Sequence, residues 1–114
     1  MSITIQNLIS ESNKTAKNKG WWDDENRNIG ELLALIHSEV SEALESYRIT
    51  GKDELSKTWL SKSGKPEGFV IELADVLIRI ADLCGEFNLD LDQALKTKLE
   101  YNKTRPYRHG NKKA

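Results

Sequence analysis

The sequence predicts an all-α protein, built as an antiparallel bundle of four to five helices. Two observations predict this class. Long segments carry apolar residues at helical spacing, and only two prolines and seven glycines interrupt them. A hydrophobic content of 38% with 31% charged residues is typical of globular chains. At 114 residues, we expect a single helical domain over residues 1–108, followed by a basic tail at 109–114.

Residues 68–87 form the most apolar segment and are expected to organise the bundle. At about 100° per residue, the polar side chains of this segment fall within an arc of about 80°. They are Glu72, Asp75, Arg79, Asp82 and Glu86. A surface helix has the opposite pattern, an apolar stripe on a polar cylinder. We therefore expect a helix enclosed on most sides, in part by another subunit, with an acidic slot that requires a cation.

Two amphipathic helices precede this segment. Residues 3–19 place Ile5, Leu8 and Ile9 near one helical face, and Gly20 marks the end of that helix. A second helix is predicted from about residue 25 to residue 48, where apolar side chains recur at helical spacing. Glu39 lies at the edge of this apolar face and Glu42 one step further out. Both carboxylates are thus able to lean into a groove between helices.

The connections between these helices are polar. Residues 20–28 hold Trp21 and Trp22, which either cover the edge of the core or stack on a ring-shaped ligand. Residues 49–65 are predicted to form a loop with a short helical turn around residues 53–60. Pro66 is predicted in the first turn of the central helix, where its missing N–H is harmless. A fourth helix is predicted to begin at Asp90, which has capping-box spacing to Gln93.

The net charge of −1 conceals a division along the chain. Residues 96–114 carry a net charge of +6, and the preceding residues carry −7. Either the two parts bind a metal-loaded polyanion together, or the tail is simply solvated. Cys84 is the single cysteine, which excludes a disulfide framework and is compatible with a reducing cytoplasm. The N-terminal residues lack a signal-peptide pattern, and no segment approaches the roughly 20 apolar residues of a membrane span.

Two pairs of acids have the spacing of metal ligands. Glu39 with Glu42, and Glu72 with Asp75, stand three residues apart, so each pair shares one helical face. If their helices pack antiparallel, four carboxylates meet in an oxygen-rich site that suits Mg²⁺, with Mn²⁺ as a substitute. Without an ion, such a site requires raised pKa values or mobile side chains. The alternative is that these acids are only solvated surface residues.

Three further polar residues lie on the same two predicted helices as the acidic pairs. His37 lies nearly opposite Glu39 around the helix and is expected at the surface or at an interface. Arg79 and Asp82 are expected to form a structural ion pair, with a subunit or phosphate contact as the alternative.

The acidic motifs and the basic end resemble those of a known family. EVSEALE at 39–45, ELADVLIRIADLC at 72–84 and KTKLEYNKTR at 96–105 are similar to motifs of the all-α NTP pyrophosphatase superfamily of MazG-like and dCTPase-type proteins. The resemblance covers roughly residues 20–108. Two departures stand out: Ser38 precedes Glu39 where many members have Glu, and Pro106 follows Arg105 where a Tyr is common.

This resemblance implies an activity and a set of site residues. The activity is Mg²⁺-dependent conversion of a nucleoside triphosphate to its monophosphate and pyrophosphate, in a homodimer or homotetramer. The implied residues are metal ligands at Glu39, Glu42, Glu72 and Asp75, phosphate contacts at Lys98, Asn102 and Arg105, and base-side contacts at Trp22 and Asn28.

The expected reaction is attack of water on the α-phosphorus, with Glu39 or Glu42 accepting the proton. Two other functions remain open at this point: an activity like that of phosphoribosyl-ATP pyrophosphatase, and a non-catalytic helical protein that binds metal or nucleotide. Sequence-specific nucleic-acid binding is not expected, because the basic residues follow the last packed helix. The preferred base and sugar are also open.

Overall fold

The structure is a computed structural model that describes residues 2–114. Over these residues most of the chain is helical, which confirms the all-α class. The helices are α1 (Ile5–Asn18), α2 (Ile29–Thr50), α3 (Phe69–Glu86), α4 (Leu91–Thr104) and the short α5 (Arg108–Asn111). A 3₁₀ turn at Lys52–Glu54 and a two-stranded antiparallel hairpin, β1 (Trp59–Leu60) and β2 (Pro66–Glu67), connect α2 to α3.

Side-chain caps fix where three of these helices begin. Thr4, Asn28 and Asp90 each accept a hydrogen bond from the backbone N–H three residues later, at 3.0, 3.1 and 3.0 Å. Such caps satisfy donors that the first helical turn leaves unpaired. The predicted cap at Asp90 is confirmed. The second helix begins at Ile29 and not near residue 25, because Asn28 caps it.

The prediction for the segment before α3 was wrong in two respects. Pro66 belongs to β2 and not to a helix, and the helical turn expected over residues 53–60 is confined to Lys52–Glu54. The reason lies at Gly68, whose φ of 131° is incompatible with continuing a helix from Pro66 into α3. A Cβ atom at Gly68 would overlap the carbonyl oxygen of Lys57, so the close approach of the hairpin also requires glycine here.

Helix α3 is the centre of the packing and contacts both α1 and α2. The order of contacts shows that α2 and α3 run antiparallel. Glu39 bonds to Arg79, whereas Glu42, one turn later on α2, acts on Glu72, almost two turns earlier on α3. α4 makes fewer contacts, with α1. The acidic motifs of α2 and α3 therefore face each other, as predicted for antiparallel packing of the two helices.

The core of the single chain is small. Among residues 2–114 the buried hydrophobic residues are Leu32, Ala43, Ala81 and Cys84. Within the single chain α3 is not enclosed on most sides, since Leu73 and Leu77 are 41% and 56% exposed. Enclosure in part by another subunit stays a prediction. The accessible surface of 9127 Å² exceeds the ~6,300 Å² typical of a folded monomer of 13.0 kDa. The radius of gyration, 16.7 Å, likewise exceeds the ~13 Å of a compact chain of this length.

Across residues 2–114, none of the helices combines the length and the apolar character that a membrane span requires.

Candidate metal centre and adjoining cavity

Three carboxylates from two helices meet at one point. Glu39 of α2 and Glu72 and Asp75 of α3 each offer an oxygen, and these oxygens lie within 4.8 Å of one another. All three side chains are partly buried. Glu72 and Asp75 share one face of α3 because they stand three residues apart, and the antiparallel packing of α2 brings Glu39 opposite them. We call this group the carboxylate cluster.

Glu42 was predicted as a fourth ligand and lies at the margin of the carboxylate cluster. It is exposed, and it is not among the three residues whose oxygens converge. Glu42 nevertheless lies close enough for its negative charge to raise the pKa of Glu72. The structure thus brings three of the four predicted metal ligands together and places the fourth nearby.

The carboxylate cluster is electrostatically unfavourable for ionised acids. Burial raises the pKa of Glu72 above its usual 4.5, and repulsion from Asp75, Glu42 and Glu39 raises it further. Burial, and then the charge of Glu39, raises the pKa of Asp75 above its usual 3.8. Desolvation and like charges both disfavour the ionised form of a carboxyl group. The raised pKa values expected for this cluster without an ion are therefore present.

Two basic side chains partly compensate the acids. Arg79 donates from Nε to Oε1 of Glu39 at 2.8 Å, so the predicted ion pair between Arg79 and Asp82 is wrong: Arg79 points towards α2 instead. Lys65, in the turn between β1 and β2, lowers the pKa of both Glu72 and Asp75. Sequence analysis missed Lys65, because nothing in a polar loop indicates which lysine will approach a distant helix.

A cavity of about 650 Å³ adjoins the carboxylate cluster, between α1, α2, α3 and the connection after α1. Glu39 and Asp75 line one part of it. Its other polar and aromatic lining includes Glu11, Ser12, Thr15, Trp21, Trp22, Arg27, Arg79 and Asp82. Leucine, isoleucine and alanine side chains of the three helices complete the wall. A largely apolar cavity with a few convergent polar groups is typical of a small-molecule site.

Trp22 lines this cavity and is fixed by several contacts. Its Nε1 donates to Oδ1 of Asp82 at 2.8 Å, and its ring meets Phe87 edge-on, with the centroids 5.9 Å apart. The guanidinium of Arg27 lies 5.3 Å from the centre of the Trp22 ring. Trp22 therefore covers the edge of the core, as one of the two interpretations predicted, and it also borders the cavity. Stacking on a ring-shaped ligand stays a prediction. Trp21 is 65% exposed.

Four residues predicted to bind substrate lie outside this cavity. Asn28 uses its side chain to cap α2. Lys98, Asn102 and Arg105 follow one another along α4 and its end, and Lys98 and Arg105 both lie over the ring of Tyr101, at 4.8 and 5.7 Å. None of the four lines the cavity. Within one chain, the structure brings only Trp22 together with the predicted metal ligands.

Comparisons with known proteins do not assign the chain to a family. A scan against protein-family models, a search of curated proteins and a search of solved structures each return no match. The likeness to nucleotide pyrophosphohydrolases therefore rests on the three sequence motifs given above. What the chain does is inferred from its own residues.

Proposed function

We propose that this protein is a cytoplasmic, Mg²⁺-dependent nucleoside triphosphate pyrophosphohydrolase of the MazG-like kind. It would convert a (d)NTP to the (d)NMP and pyrophosphate by attack of water at the α-phosphate. The observation that supports this proposal best is the carboxylate cluster opening into a cavity bordered by Trp22. A triphosphate needs a cation site for its phosphates beside a partly apolar space for its base, and the two adjoin here.

The residues present suit a hard divalent ion. Glu39, Glu72 and Asp75 offer only oxygen ligands, which Mg²⁺ and Mn²⁺ prefer, and their spacing permits binding to one ion. The raised pKa values of Glu72 and Asp75 also favour a cation at this site, because a nearby positive charge would offset the repulsion that raises them. When bound, Mg²⁺ supplies charge neutralisation for phosphate oxygens and lowers the pKa of water.

The chain's own side chains have separate roles in this proposal. Glu42, exposed beside the carboxylate cluster, or Glu39 accepts the proton of the attacking water. Lys65 and Arg79 bring positive charge to the carboxylate cluster, where it would attract phosphate oxygens. Trp22 offers an aromatic surface to the base.

A second copy of the chain belongs to the proposal. The accessible surface exceeds that of a typical monomer by ~2,800 Å², more than a standard protein–protein interface buries. Large apolar side chains are exposed on α2 and α3, namely Ile29, Leu33, Val40, Leu44, Tyr47, Ile49, Val70, Leu73, Leu77 and Ile78. A homodimer or homotetramer would cover them. Association would also offer Lys98, Asn102 and Arg105 of one copy a route to the carboxylates of another.

Pyrophosphate release from a panel of NTPs and dNTPs with Mg²⁺ tests the activity. We expect Glu72→Gln and Asp75→Asn to lower turnover by more than about a hundredfold, since each removes a charged ligand. Glu45→Gln is the matched control, because Glu45 lies on α2 and pairs with Arg48 at the surface. Unchanged activity in the two site variants, or no pyrophosphate from any nucleotide, contradicts the proposal. Phosphoribosyl-ATP as an additional substrate separates the related pyrophosphatase.

A further inference from the structure

Asp82 lines the cavity that adjoins the carboxylate cluster, at a distance from the cluster itself. Asp75 and Asp82 both line the cavity from α3. They stand seven residues apart, so they share one helical face and are separated by two turns, about 10 Å along the axis. This separation is comparable to the length of a nucleotide from its α-phosphorus to the far edge of its base. A ligand with its phosphates at Asp75 would thus bring its base towards Asp82.

The carboxylate of Asp82 is held in one orientation by two donors. Trp22 Nε1 and Asn13 Nδ2 both donate to Oδ1 of Asp82, at 2.8 and 2.9 Å. The donors come from α1 and from the connection that follows it, so two separate segments fix the carboxylate of α3. Neither bond uses Oδ2. An acceptor fixed in this way costs little reorganisation when a ligand binds, and its lone pairs can discriminate between ligands.

The chemistry of this group restricts what can lie against it. A carboxylate oxygen accepts hydrogen bonds and repels carbonyl oxygens, so a base edge that meets Oδ2 must present a donor. Cytosine and adenine present an amino group at the position where uracil and hypoxanthine present a carbonyl group. The members of each pair are almost the same in shape. A pocket that discriminates them must therefore do so by hydrogen bonding.

We propose that Asp82 is a specificity-determining residue that selects nucleotides whose base edge carries an amino group over their carbonyl-bearing counterparts. The inference rests on the proposed function in one respect, because it takes a nucleotide to be the occupant of the cavity. Trp22 has two roles in it, as the donor that orients Asp82 and as an aromatic border of the base site. The carboxylate cluster determines where the phosphates lie, and Asp82 determines which base is accepted.

Asp82→Asn gives a sharp test, because its orientation is predetermined. The amide oxygen must face Nε1 of Trp22, which can only donate, and Asn13 keeps its donor on the same oxygen; the amide NH₂ then replaces Oδ2. The variant therefore presents a donor where the wild type presents an acceptor, with no change in size. Glu86→Gln is the matched control: Glu86 accepts from Asn13 at 3.2 Å on the same helix but does not line the cavity.

The measurement is binding of nucleoside monophosphates, which hold no anhydride bond, by tryptophan fluorescence and calorimetry with and without Mg²⁺. We expect wild type to bind CMP over UMP, or AMP over IMP, by about tenfold or more. Asp82→Asn should abolish or reverse that preference, and Glu86→Gln should retain it.

Three results overturn this inference. They are equal affinity within both pairs, no binding of any monophosphate, and an equal loss for both members of a pair in Asp82→Asn. The assay involves no hydrolysis, so its outcome is separate from that of the pyrophosphate assay. A protein that discriminates CMP from UMP but releases no pyrophosphate would retain the role of Asp82 and lose the proposed activity.

Discussion

Arg79 Nε donates to Oε1 of Glu39 at 2.8 Å, across the groove between α3 and α2. The Glu39 side chain is 16% exposed, and Glu39 is the member of the carboxylate cluster that comes from α2. On the proposed function, the guanidinium contacts a carboxylate that a divalent ion would also use. Arg79 supplies positive charge to the carboxylate cluster, as a bound cation would. An incoming ion must compete with that charge.

Removal of Arg79 is expected to strengthen metal binding. Arg79→Ala leaves Glu39 unpaired and increases the negative field at the carboxylate cluster. We expect Mn²⁺ or Tb³⁺ to bind about two- to tenfold more tightly in titrations without nucleotide, with a smaller gain at high salt. Arg48→Ala, which removes an exposed partner of Glu45, should leave the affinity unchanged. Weaker metal binding in Arg79→Ala would show that Arg79 positions Glu39 and does not compete for it.

The raised pKa values of Glu72 and Asp75 predict a stability that falls as pH rises. A carboxyl group whose pKa is higher in the folded state holds its proton more tightly there, so its ionisation opposes folding. The loss is absent below the usual value of 4.5 for Glu72 and develops as pH rises through the folded pKa. Without divalent ions, Glu72→Gln should therefore raise Tm at pH 7 and have little effect near pH 4.

The control for this pH dependence is a substitution of an exposed acid outside the carboxylate cluster. Glu45→Gln removes an exposed acid of α2 and should leave the pH dependence of Tm unchanged. Mg²⁺ should raise the Tm of wild type more than that of Glu72→Gln, because the variant has lost a charged ligand. A lower Tm for Glu72→Gln at pH 7 would contradict the prediction and would indicate that Glu72 stabilises the fold.

Lys65 is expected to assist substrate binding. Its positive charge acts on both Glu72 and Asp75 from the turn between β1 and β2, so it is placed to attract phosphate groups bound at the carboxylate cluster. Lys65→Ala should raise KM for a triphosphate about tenfold with a smaller change in kcat, because a charge-assisted contact to phosphate is lost. Lys62, an exposed residue of the same turn, provides the control Lys62→Ala. Equal effects of the two substitutions would assign no special role to Lys65.

The apolar faces of α2 and α3 predict self-association. Sedimentation velocity at micromolar concentration should show a dimer or tetramer. Leu44→Glu and Leu77→Glu should shift the protein towards monomers, because these side chains are 55% and 56% exposed in the single chain and an interface would have to desolvate the new charge. Ser41→Glu, at an exposed polar position of α2, is the control. A wild-type monomer at these concentrations would contradict the prediction.

Local patterns accounted for much of the fold. The capping box at Asp90 is a short-range signal, and it correctly placed the start of α4. The spacing of Glu72 and Asp75 put both on one face, and antiparallel packing of two amphipathic helices then brought Glu39 to them. The cap and the shared face depend on neighbours within one turn, which the sequence displays directly. The approach of Glu39 depends on the packing of α2 against α3.

Contacts between segments far apart in sequence could not be predicted from local patterns. The bonds of Asp82 to Asn13 and Trp22 join residues 69 and 60 positions apart, and no local signal favours them over a pair with Arg79. Asn28 is different, because a signal was present: Asn28 and Glu31 have the spacing of a helix cap, which gives Asn28 a structural role. The motif resemblance instead predicted that Asn28 contacts the base of a nucleotide.

The small core described for the single chain has a thermodynamic consequence. With so few residues removed from water, the free energy of unfolding of an isolated copy would be low, and assembly would supply the remainder. On the proposed association, folding and assembly become one equilibrium governed by mass action. The unfolding midpoint should then rise with protein concentration, and dilution alone should begin to unfold the chain.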